Sequence, residues 1–185
     1  LNKSRIKIKP NSIKPINCHS VVITEQLNKN NFLDRLLEIS KSDMETFISA
    51  NPDVINKKNS VDVGCLHLII CRLIELKENL KKQNGKEEVD NSEEDIIKEK
   101  INYLIQNTAI DLNIKDLNED TPLHLLVEMD NIISSMVNNP RINLNLTNIN
   151  QETPLYLAFK NNNKIVKNIL LNKINNIDIK VGKSI

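Results

Sequence analysis

Apolar residues recur at helical spacing in several separated runs. Leu66, Ile69, Ile70, Leu73, Ile74, Leu76 and Leu80 form one stripe, and Ile96, Ile97, Ile101, Leu104 and Ile105 form another. The second stripe follows Ser92-Glu93-Glu94-Asp95, a polar cap with acids in the first turn of a helix. Further on, Leu123, Leu125 and Leu126 precede a run from Ile132 to Val137. Leu155, Leu157 and Ala158 precede Ile165, Val166, Ile169, Leu170 and Leu171. Steps of three and four residues mark helices with one buried face. Upstream, Phe32, Leu33, Leu36 and Leu37 predict one helix, and Met44, Phe47 and Ile48 another. No apolar run approaches the ~18 residues of a membrane span.

Two of these segments superpose. Asp111-Leu-Asn113-Ile-Lys-Asp116-Leu-Asn118-Glu-Asp-Thr121-Pro122-Leu123-His124-Leu125-Leu126 matches Asn143-Leu-Asn145-Leu-Thr-Asn148-Ile-Asn150-Gln-Glu-Thr153-Pro154-Leu155-Tyr156-Leu157-Ala158 at a constant offset of 32 residues. Thr121 and Thr153 can cap a helix, and Pro122 and Pro154 suit its first position. A weaker copy lies upstream: Asn56 and Asn59 stand where Asn113 and Asp116 stand, and Gly64-Cys65-Leu66-His67 replaces Thr-Pro-Leu-His.

This pattern resembles the ankyrin repeat, with its period of about 33 residues and its T-P-L-H-x-A signature. The resemblance implies an all-α solenoid of helix-turn-helix units with β-turn fingers. About four repeats are expected, at 28–58, 59–115, 116–147 and 148–180, after a basic arm or linker at 1–19; the repeat domain then runs over 20–185. The chain departs from the family in its glycines. It has 3 Gly and 30 Asn, and the places where the family uses Gly read Asn118-Glu119, Asp130-Asn131, Asn138-Asn139, Gln151 and Asn161-Asn162-Asn163. Asn and Asp tolerate the left-handed backbone better than other non-glycine residues, so the turns are expected to persist with some strain.

The second repeat is too long. Gly64 to Thr121 is 57 residues against a period of ~33, a surplus of about 24. It is expected as a prolonged helical hairpin over 77–100, with Lys77, Lys81, Lys82 and Lys86 ahead of Glu87, Glu88, Asp90, Glu93, Glu94 and Asp95. The arm Lys3-Ser-Arg5-Ile6-Lys7-Ile8-Lys9-Pro10 alternates basic and apolar residues. It has no apolar core of a secretory signal. Val21-Val22-Ile23 reads equally as strand or helix and is a candidate cover for the end of the stack.

Composition narrows the function. With 25 Lys+Arg against 24 Asp+Glu the net charge is +1, unlike a dedicated nucleic-acid binder with its basic surplus. Cys18, Cys65 and Cys71 are an odd set without framework spacing, which fits a reducing compartment and a cytoplasmic location. Cys65, His67 and Cys71 lack the four paired ligands of a structural zinc site. Cys18-His19 has no orienting acid for nucleophilic catalysis. Gly182-Lys183-Ser184 lacks the upstream glycine of a phosphate loop, because Ile177 stands there. His67 and His124 occupy equivalent repeat positions, which predicts a structural bond to the neighbouring finger.

No cofactor, metal or catalytic residue is therefore expected. The resemblance implies a monomeric, non-catalytic module that binds another protein, and neither nucleic acid nor a membrane, through fingers and first helices. A docking or regulatory part of a larger enzyme, or an effector acting in a host cytoplasm, is the alternative. Carried over position by position, the contact residues are Ser60, Val61, Val63, Cys71 and Arg72, then Leu117, Asn118, Asp120, Glu128 and Met129, then Ile149, Asn150, Glu152, Lys160 and Asn161.

Overall fold

The structure, a computed structural model, describes residues 37–52, 55–59, 62–82 and 92–182. The arm at 1–19, Cys18-His19, Val21 to Ile23, Phe32, Leu33 and Leu36, the hairpin tip at 83–91, Ser60, Val61 and Lys183-Ser184 lie outside the described residues.

Seven α-helices follow one another among the described residues. They are α1 Lys41–Ala50, α2 Cys65–Lys82, α3 Ser92–Gln106, α4 Pro122–Leu125, α5 Asp130–Asn138, α6 Pro154–Lys160 and α7 Lys164–Gly182. A 3-10 turn, Leu126–Glu128, prolongs α4. The helices form two layers. In one, α1, α3, α5 and α7 pack in succession; in the other, α2, α4 with its 3-10 turn, and α6 do the same. Each layer supplies one side of a single continuous core. Met44, Leu66, Ile69, Leu73, Ile101, Leu104, Leu123, Ile133, Met136, Val166 and Leu170 are buried in it.

The local chemistry explains the helix starts. Ser40 caps α1, its hydroxyl accepting from Asp43 N at 3.1 Å. Thr153 caps α6 by accepting from Tyr156 N at 3.2 Å. Glu93, Glu94 and Asp95 sit in the first turn of α3, where the helix dipole favours negative charge.

Four residues other than glycine take the left-handed backbone: Asp62 (φ 60°), Glu119 (58°), Gln151 (61°) and Asn162 (54°). Such a conformation costs an L-residue roughly 1–2 kcal/mol, so the strain expected from the missing glycines is present at three turns and, at Asn162, between α6 and α7. It is absent at two of the expected places. Asp130 and Asn131 are helical, and Asn139 is extended (φ −69°, ψ 129°). The reason is that α4 gives way to a 3-10 turn capped by Met129, so α5 starts without a left-handed link.

The expected hairpin is also shorter than its 77–100 limits. At its C-terminal end Ile97 lies in the core and Lys100 is buried. Lys100 Nζ donates to Leu37 O at 3.3 Å. The last turn and a half of the proposed insertion is thus part of the stack, because α1 lies against α3 there.

Candidate functional site

Three equivalent turns present the surface. In each, one side chain closes the loop on its own backbone. Asn59 Oδ1 accepts from Val63 N (2.8 Å), Asp116 Oδ1 from Asn118 N (2.8 Å) and Asp120 N (2.9 Å), and Asn148 Oδ1 from Asn150 N and Glu152 N (3.0 Å each). The backbone pairs Asn59–Val63, Asp116–Asp120 and Asn148–Glu152 repeat at 3.0 Å. The first of these turns carries an antiparallel bridge between Lys58 and Gly64.

Neighbouring turns are bound to each other. Ile149 N donates to Asn118 O at 2.8 Å, and Asn148 Nδ2 to Asp120 Oδ1 at 2.9 Å. Below them, Asn56 Nδ2 donates to Ala109 O (2.7 Å) while its Oδ1 accepts from Asp111 N (2.8 Å). Asn113 repeats both bonds one unit later, to Arg141 O (2.9 Å) and from Asn143 N (2.8 Å). These identical pairs establish that Asn56 and Asn113 are equivalent, as the sequence pattern predicts.

The histidines complete the scaffold. His67 Nε2 lies 2.9 Å from Asp120 O and His124 Nε2 3.1 Å from Glu152 O. A carbonyl only accepts, so each Nε2 carries the proton. His124 Nδ1 then accepts from Thr121 N (3.0 Å) and its hydroxyl (2.8 Å). His67 has Gly64 in place of the threonine, and its buried Nδ1 has no partner among the described residues. Burial holds both histidines below the usual imidazole range, His67 at about 4. They are neutral structural groups at neutral pH.

Electrostatics at the tips run the other way. Burial and the charge of Asp120 push Asp116 up to about 6, and burial also raises Asp120. Glu152 is held below the usual carboxylate range by Lys160, whose Nζ donates to its Oε1 at 2.8 Å.

The sequence-derived contact residues divide accordingly. Leu117 and Ile149 stand exposed at adjacent tips, 58% and 40% accessible. Glu128, Asn150, Lys160 and Asn161 are exposed, and Arg72, Asp120 and Glu152 are half-buried. Arg72 is committed to Glu75 (3.2 Å) and Glu93 (2.8 Å). Val63, Cys71, Asn118 and Met129 are corrections: all four are buried. The position-by-position transfer gave their register but not their cover. Val63 follows its turn, Cys71 is in α2, Asn118 is bonded through its carbonyl to Ile149 N, and Met129 caps the 3-10 turn.

Two further residues bracket the tips: Lys115, whose equivalent Lys58 pairs with Asp62 in the same way (3.0 Å), and Arg141, which has no repeat signal. Lys115 Nζ bridges Glu119 Oε2 (2.9 Å) and Thr147 O (2.8 Å). Arg141 spreads its guanidinium over four carbonyls: Ile110 at 2.6 Å, Ile105 at 2.8 Å, Asn107 at 2.9 Å and Thr108 at 3.3 Å. Of these, Ile105 O is one of the carbonyls left without a helical partner at the end of α3. The equivalent positions hold Ala109 and Ile174, so periodicity could not single Arg141 out.

Little else here suggests chemistry. Burial pushes the Cys65 thiol up to about 12, and its Sγ donates to Ile55 O at 3.1 Å. That is a neutral thiol, whereas a nucleophile needs a thiolate. Among the described residues, no three His, Cys, Asp or Glu side chains converge as metal ligands, and no helix is long and apolar enough to cross a membrane.

A search of curated proteins returned no match. Residues 92–182, from the first residue of α3 to the last of α7, match the family described as ankyrin repeats (3 copies); over that span the chain belongs to the ankyrin repeat family, whose members generally mediate protein–protein interaction and are typically non-catalytic.

Proposed function

We propose that this chain is a non-catalytic, monomeric docking module that takes a protein partner across its turn tips and the exposed sides of its first helices, in the cytoplasm. Four repeats at 28–58, 59–115, 116–147 and 148–180 frame that surface. The observation that carries the reading is the exposed pair Leu117 and Ile149, held on adjacent turns joined by the Ile149 N to Asn118 O bond. Two large apolar side chains on a hydrogen-bonded, pre-organised backbone lose little entropy on binding. Asp120, Asn150, Glu152 and Lys160 supply a polar rim around them, as at protein–protein contacts. A longer enzyme or an effector would dock its target through the same surface.

The test is capture of partners by the wild-type chain and by a Leu117→Asp, Ile149→Asp double variant, with circular dichroism confirming equal helicity. Both side chains are exposed, so the fold is expected to persist while affinity falls at least tenfold. Unchanged affinity would move the site off the turn tips.

A further inference from the structure

We propose that the end of the array beyond α6 and α7 receives a further ankyrin-type repeat, and that residues 176–180 of this chain are its first segment. Three large side chains there are exposed at positions buried in both preceding units. Tyr156 is 55% accessible where His124 and His67 are buried, Phe159 is 53% where Val127 and Ile70 are buried, and Ile165 is 55% where Ile133 and Ile101 are buried. In those earlier units the next unit provides the cover; His67 and His124, for instance, each bond to the next turn.

The sequence names the occupant. Asp111-Leu-Asn-Ile-Lys115 leads into one turn and Asn143-Leu-Asn-Leu-Thr147 into the next; Asn176-Ile-Asp-Ile-Lys180 repeats the same alternation 33 residues later. The pairing residue is ready as well. Asn56 and Asn113 each clamp the segment that follows, through a carbonyl two residues before it and the N–H of its first residue. Asn145 is the next in that series and is exposed. Its partners would be Ile174 O and Asn176 N. In the earlier units the second helix ends five residues before this segment, at Gln106 and Asn138. By that rule α7 would end near Leu171. Instead it runs to Gly182, 19 residues against 9 for α5. Residues 176–180 therefore switch from helix to extended backbone when the rest of the repeat is present.

The test compares the 185-residue chain with one in which residues 116–147 are appended after Lys180 as a following repeat. Hydrogen exchange at Tyr156, Phe159 and Asn176 amides is expected to slow at least tenfold in the extended chain. Phe159→Glu should leave the midpoint of the 185-residue chain within about a degree and lower that of the extended chain by several. Asn145→Ala should reverse part of the protection at Asn176. Unchanged exchange in the extended chain would overturn the proposal. So would concentration-dependent dimerisation of the 185-residue chain that Phe159→Glu abolishes, which would assign the face to a second copy.

Discussion

The units built on α2–α3 and on α4–α5 make the same turn, yet they are held by different means. The first has helices of 18 and 15 residues, the second of 4 and 9 with a 3-10 link. The long pair buries Leu66, Leu68, Ile69, Ile70, Leu73, Ile97, Ile101, Leu104 and Ile105. It tolerates a misfit, the unpartnered Nδ1 of His67, in exchange for that burial. The short pair has fewer residues to bury and adds polar fit: Thr121 on His124, Asp116 on its turn, and Arg141 on the carbonyls at and after the end of α3. Apolar area is forgiving about geometry, while a buried hydrogen bond is costly when one side is removed.

The sharpest way to break this contrast is Arg141→Ala. It strands several half-buried carbonyls at the α3–α5 junction. Hydrogen bonds to charged groups are worth ~1.5–3 kcal/mol each, and water will replace some of them. A loss of about 3 kcal/mol in urea unfolding is expected, a fall of roughly 6–10 °C in Tm. A loss under ~1 kcal/mol would mean water replaces the guanidinium without cost.

Acid titration separates the two units next. His67 titrates at about 4 when folded and 6.5 when unfolded. The unfolded state then binds more protons between those values, so stability falls as pH drops from 6.5 towards 4, by on the order of 2–3 kcal/mol. Asp116 has the opposite sign: its folded value of about 6 exceeds 3.8, so stability falls as pH rises through that window. Asn59 and Asn148 occupy the same position without a charge. Asp116→Asn should therefore stabilise the chain by about 1 kcal/mol at pH 7, discounted for nearby water, and by nothing below pH ~4. His67→Gln should flatten the acid limb. An acid limb unchanged by His67→Gln would place the titrating group elsewhere.

Repairing the misfit should yield a smaller effect. A Cβ on Gly64 would stand 3.6 Å from His67 Nδ1 and 3.3 Å from the flexible Ile114 Cδ1. Gly64→Ser supplies the hydroxyl that Thr121 gives His124. A gain of about 0.5–1 kcal/mol is expected from thermal melting. A loss would show that Ile114 does not yield. Smallest of all is Lys98→Ala on α3. Its pair with Asp95 (3.0 Å) is solvent-facing and its pair with Glu94 (2.9 Å) lies at the edge of the surface; pairs near the surface are worth ~0–1 kcal/mol. A drop above 1 kcal/mol would mean that charge, as well as burial, holds the long pair.

What was legible in the sequence was whatever repeats. The Thr-Pro-Leu-His caps, the helix stripes, the equivalence of Asn56 with Asn113 and the role of both histidines follow from spacing, because backbone and nearest-neighbour contacts recur with the period. The exposed tips Leu117 and Ile149 were found the same way. Val63, Cys71, Asn118 and Met129 carry the right register and the wrong exposure, because exposure depends on what the adjacent unit lays over a position.

The sequence by itself thus determined the period, the helices and the turn chemistry, all of which are set within about one repeat of chain. Only the tertiary structure decided which chemically suitable residues face solvent, that Ile97 and Lys100 are buried, and that Arg141 ties the loop after α5 to the end of α3 and the residues that follow it. Those outcomes depend on contacts between residues some 30 or more positions apart, whose cost and gain are settled by packing and desolvation rather than by local pattern.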